Sequence, residues 1–117
     1  MPTVVMKGNS PALVNHEDAI NQLQAPLATL LGDENLVTEF PPATGSEDAH
    51  LLGGDNPDVK VAYLAMGIAD PGAFQAAVAD GRMFPFSPHN PNFVVDLDAI
   101  PLGAKIGAVS VLQLMAA

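Results

Sequence analysis

Proline sets the tightest limits on what this sequence can build. In FPFSPHNPNF, residues 84–93, three prolines fall within ten residues. A residue that precedes proline is pushed out of the helical region, so Ser87 and Asn90 are biased to extended backbone. Each proline also fixes its own φ and carries no N–H. The segment is therefore a short, stiff, non-helical arm, and it holds His89, one of three histidines in the chain. Two readings of His89 follow: a loop histidine bonded to nearby backbone, or a pre-organised ligand or general base. Spacing alone leaves both open.

The chain has 117 residues, which fits one domain. Hydrophobic residues make up 49% and charged residues 15%, so the sequence is too apolar for disorder and has few polar residues to cover its surface. That imbalance implies apolar surface facing another chain or domain. The formal net charge is −9, with only Lys7, Lys60, Arg82 and Lys105 positive. A phosphate backbone or an anionic membrane surface would be repelled, which excludes nucleic acid and membrane as expected partners. With no cysteine, disulfides, thiolate zinc sites and a cysteine nucleophile are all ruled out. The start, MPTVVMKGNSPAL, lacks a basic stretch followed by an apolar one, so no signal peptide is expected and the expected location is cytoplasmic. The apolar segment 99–117 carries Pro101, Gly103, Lys105, Gly107, Ser110 and Gln113, which favours a buried helix over a membrane span.

Periodicity and breakers predict the order of elements. PTVVMK (2–7), NLVTEF (35–40), VKVAYLAMG (59–67) and FVV (93–95) read as strands, the third as a central one. A helix is predicted from about 16 to 31, capped by Asn15 and ended by Gly32, with Pro26 kinking or breaking it. A short helix follows ATGSED, another spans 70–81 from Pro71 to Gly81, and a last one begins near Ala99 after Asp96 or Asp98. Alternating strands and helices predict an α/β fold with helices covering a sheet.

Beyond His89, the candidates are weaker. Glu47 and Asp48 in GSED either complement a helix dipole, or Glu47 or Ser46 faces a cleft with helix N–H groups available to an anionic substrate. His50, three residues after Glu47, fits a surface pair, and His16 fits a solvated residue. No HxxxH, HxH or HxD pair is present, so a complete metal site within the chain is not expected. The acidic turns lack the EF-hand pattern, and no GxGxxG, P-loop or GxSxG occurs.

In order, however, GSEDAHLL, a strand ending in Gly67, and PHNPNFVVDLDAIPLGAKIGA resemble the C-terminal part of the metal-dependent amidohydrolases. That superfamily contains aminoacylases, hippurate hydrolases, auxin-conjugate hydrolases and N-acyl-amino-acid carboxypeptidases. Upstream, GNSPALVNHED is similar to the passage where the family's chain leaves its lid domain. The resemblance implies residues 1–10 as the end of a lid strand and its connector. It implies 11–117 as the C-terminal portion of a zinc-peptidase-like catalytic domain, α/β, with a partial three-layer sheet and flanking helices. It implies His89 as a ligand of one metal ion in a two-metal centre, zinc or manganese, in the complete enzyme, with the prolines holding its ring. Ser46, Glu47, Asp48 and Asn90 would be substrate-binding or cleft-lining. The implied substrate is an N-acyl amino acid or related small amide.

Two departures stand out. Ala49 replaces the aromatic that follows SED in the family, and nothing in residues 1–117 matches the earlier metal ligands or the general-base glutamate. No catalytic residue is therefore assigned within the chain, tight metal binding by the chain alone is not expected, and the expected state is an inactive part. Such a part would pack against a missing N-terminal half or form a homo-oligomer. The rival expectations are a non-catalytic dimerising module, one subunit of a split enzyme, and an unrelated small acidic α/β domain that binds a small molecule.

Overall fold

The computed structural model describes every residue except Met1, Met6, Asn9, Ser46 and Ala117. Among the described residues, three α-helices carry the regular structure: α1 (Glu17–Leu31), α2 (Pro71–Ala79) and α3 (Ala99–Met115). Among the same residues, two 3-10 segments, Asp33–Asn35 and Ala49–Gly53, lie between α1 and α2 in sequence. The chain divides into two compact units, residues 1–63 with 113–117, and residues 64–112.

The expected α/β fold with a partial three-layer sheet is overturned: among the described residues there is no strand and no sheet. The reason is a shortage of backbone partners. A helix satisfies its N–H and C=O groups within itself, whereas a strand needs a second segment along its length. The segment predicted as the central strand, 59–67, receives isolated bonds instead. The His16 N–H donates to the Val61 carbonyl at 2.8 Å. The Asn15 side chain then does what a neighbouring strand would do for Tyr63: its Nδ2 donates to the Tyr63 carbonyl (3.0 Å) and its Oδ1 accepts the Tyr63 N–H (2.6 Å). In the other unit, the Asp96 N–H donates to the Ile68 carbonyl at 2.9 Å. No ladder follows from these contacts. Segment 36–40 has no ladder either, and Val37 and Phe40 are exposed.

The helices follow local chemistry more closely. In α1, Ala19, Leu23 and Leu27 are buried at helical spacing, and Leu23 is only 2% exposed. Asn15 is drawn away to Tyr63, so His16 is the N-cap and makes no side-chain cap bond. Pro26 does not break the helix in two. Gly32 ends it at φ +82°, its N–H donating to the Ala28 carbonyl at 2.8 Å, and a Cβ there would lie 2.7 Å from Glu34 Oε1. Helix α2 has the predicted ends. Asp70 Oδ1 accepts the Ala73 N–H at 2.8 Å, and Pro71 is the first helical residue. At the other end, the Gly81 N–H reaches the Val78 carbonyl and the Arg82 N–H reaches the Ala77 carbonyl, a Schellman pair with Gly81 at φ +74°. Helix α3 starts where Asp96 turns the chain: its Oδ1 accepts the Asp98 N–H (3.0 Å) and its carbonyl accepts the Ala99 N–H (3.1 Å). No helix among the described residues is long and apolar enough to cross a membrane.

Candidate functional site

The His89 arm consists of two successive β-turns that share one residue. The Asn90 N–H donates to the Ser87 carbonyl at 3.0 Å, closing Ser87–Asn90, and the Phe93 N–H donates to the Asn90 carbonyl at 2.9 Å, closing 90–93. Both turns carry proline at their second position, Pro88 and Pro91. No non-glycine residue among those described has a positive φ, so neither turn is of type II, which needs one at its third position. His89 holds that third position in the first turn. Asn90 Oδ1 also accepts the Asn92 N–H at 2.8 Å, an Asx turn that braces the second. Below the turns, the rings of Phe86 and Phe93 meet edge to face, 5.7 Å between centroids at 85°. At the entrance, the Arg82 guanidinium donates to the Pro85 carbonyl (2.9 Å) and to Asp80 Oδ2 (3.2 Å). His89 stands exposed on this frame, and among the described residues its ring makes no hydrogen bond.

The other two histidines are in a different state. Nδ1 of His16 and both ring nitrogens of His50 are sealed from solvent with no partner among the described residues. Of the three imidazoles, His89 alone is exposed.

Ser46 lies outside the described residues. Glu47 and Asp48 lie in the 1–63 unit. Glu47 Oε1 accepts the N–H groups of Asp48 (2.9 Å) and Ala49 (3.0 Å), and its Oε2 accepts the Tyr63 hydroxyl (2.9 Å). Ser10 Oγ donates to the Glu47 carbonyl at 3.3 Å. The Ala49 N–H, then the Tyr63 hydroxyl and the Asp48 N–H, hold the Glu47 carboxyl below the usual carboxylate range. The same bond raises the Tyr63 phenol. The amides that open the 3-10 segment are thus engaged by the chain's own carboxylate. Beside them, Asp48, Ala49, Leu51 and Leu52 line an open depression of about 410 Å³. Leu52 is 91% exposed, so the depression does not enclose a ligand.

Asn90 belongs to the arm. Its N–H, carbonyl and Oδ1 all serve the turns, which leaves only Nδ2 for a ligand. Two participants escaped the sequence reading, Tyr63 as partner of Glu47 and Asn15 as partner of Tyr63. The signal for Tyr63 was its phenol, the chain's single tyrosine, inside an otherwise apolar run.

Among the described residues, no three histidine or carboxylate groups converge to hold a metal ion. The donor chemistry present fits one imidazole ligand and not a two-metal centre, so no hydrolytic step is assigned to this chain. No family model matches the chain, and no solved structure matches it.

Proposed function

We propose that this chain contributes one metal ligand, His89, to a metal-dependent amidohydrolase. The enzyme would act on N-acyl amino acids or related small amides in the cytoplasm, at a zinc or manganese pair. The remaining ligands and the general base would come from polypeptide outside these 117 residues. The observation that carries this reading is the His89 arm: an exposed imidazole without a hydrogen bond to a described residue, on two proline-stiffened turns. A packing histidine has no use for such a frame, whereas a ligand loses less freedom on binding when it is already held. The ordered boxes GSED and HNPNFVVDLDAIPLGA support the same family.

The test has two parts. The purified chain, supplied with zinc or manganese and an N-acyl amino acid, should show no turnover above buffer. In the complete protein or reconstituted pair, His89→Ala should lower both bound metal and activity. Unchanged metal content in that variant defeats the ligand assignment, and turnover by the chain alone defeats the incomplete-site reading.

A second reading, a non-catalytic module that associates through apolar faces, is favoured by the surface. The chain exposes 9553 Å². Two wholly separate compact bodies of the sizes of its units would expose only roughly 7,200 Å² together. The excess is well above the roughly 800 Å² per partner of a standard interface. Association that ignores chelators and metals would favour this module.

A further inference from the structure

We propose that Asn90 is the positioning residue of the His89 arm and does not itself bind substrate. This rests on the reading of His89 as a metal ligand.

Asn90 is the only residue in both turns. As the last residue of the first, it donates its N–H to the Ser87 carbonyl; as the first residue of the second, it accepts the Phe93 N–H. Its side chain adds the bond from the Asn92 N–H. Three bonds therefore meet at the residue next to His89. The prolines restrict φ at 88 and 91, but neither can donate a hydrogen bond, so they narrow the choices without joining the turns. Asn90 joins them. Asparagine suits the place because its side-chain oxygen reaches its own backbone two residues on, and alanine has no such group. Phe93, tied by its N–H to Asn90, meets the Phe86 ring edge to face, which fixes the far end of the arm to its near end. Loosening Asn90 would leave the imidazole exposed but free to swing, and a ligand that must be ordered at the moment of binding binds more weakly.

The test uses the whole 117-residue chain with nitrogen-15 histidine, and zinc chloride alone as the probe. In the unaltered chain, zinc shifts the ring signals of His89 at lower concentration than those of His16 or His50. Asn90→Ala raises the zinc concentration for half-maximal shift about fivefold, the weight of one net hydrogen bond. Asn90→Asp, which keeps an acceptor at the same atom, restores it. Amide exchange at Asn92 quickens in Asn90→Ala, while Leu23 and Leu27 in α1 keep their protection. Pro88→Ala, which removes no hydrogen bond, gives a smaller rise in the same direction and carries the test if Asn90→Ala fails to fold. Equal half-points in the unaltered chain and Asn90→Ala overturn the role of Asn90 and leave the ligand reading standing. No response of His89 to zinc in any variant removes both.

Discussion

Helices α1 and α3 are similar in length and opposite in outcome. α1 mixes acids, amides and aliphatics, and buries Ala19, Leu23 and Leu27 in a stripe. α3 is far more apolar, with Lys105 as its one charged residue, yet the only residue it buries is Ser110. Ile100, Val111, Leu112 and Met115 are all exposed, Met115 at 79%. Apolar content therefore does not make a core by itself. A narrow stripe can be covered by one neighbour, whereas a helix apolar on every side needs neighbours all round. α1 finds cover within the described chain, and α3 does not.

The contrast can be broken by mutation. Leu23→Ala should cost about 2–5 kcal/mol in a urea unfolding experiment, as for a buried leucine that leaves a cavity. Leu112→Ala, equally conservative on paper, should stay within about 0.5 kcal/mol, as at exposed sites. A cost at Leu112 comparable to that at Leu23 would mean that α3 is covered in solution. Next in size is Asn15→Ala, which removes both bonds to the Tyr63 backbone. It should cost about 1 kcal/mol, since water can replace partners at this exposed site. An unchanged unfolding midpoint would show that the Asn15 bridge does not hold segment 59–63.

Smaller again is the effect of Val111→Lys with Leu112→Lys on α3. Unfolding free energy should move by less than about 0.5 kcal/mol, while light scattering should show weaker self-association as concentration rises. Unaltered association would place the sticky surface elsewhere. The smallest effect concerns acid. Because the folded Glu47 carboxyl is held below the ordinary carboxylate value, its stabilisation is fully present above that value. It is lost as pH falls through the lower, folded-state one. Glu47→Gln should flatten this part of the acid limb of stability against pH, and Tyr63→Phe should flatten it in part. An unchanged acid limb in both would deny the carboxylate any part in holding the 3-10 segment.

Local features were legible. The α2 ends, Asp70 with Pro71 and then Gly81, were written in residues whose φ and donor chemistry admit few alternatives. The stiffness of the His89 arm was equally plain from its prolines. The name of Asn90 does not show that its Oδ1 turns to the Asn92 N–H. A helix cap is the local preference of Asn15. Only the arrival of Tyr63 from 48 positions away offered its side chain a backbone donor and acceptor at once. The strands failed for a related reason. VKVAYLAMG has the composition of a central strand, but strand composition specifies a half-made ladder and says nothing of whether a second segment lies alongside.

By itself, then, the amino-acid order determined the two ends of α2 and the Gly32 end of α1, the stiff non-helical arm around His89, and the excess of apolar surface implied by 49% hydrophobic and 15% charged residues. Each of these depends on groups within a few positions of one another or on simple totals. The tertiary structure decided that segments 35–40 and 59–67 form no sheet, that Nδ1 of His16 and both ring nitrogens of His50 are sealed while His89 is exposed, and that Glu47 spends its carboxylate on Asp48, Ala49 and Tyr63. Those outcomes turn on which distant backbone groups meet, and a hydrogen bond between residues far apart in sequence exists only once the chain has brought them together.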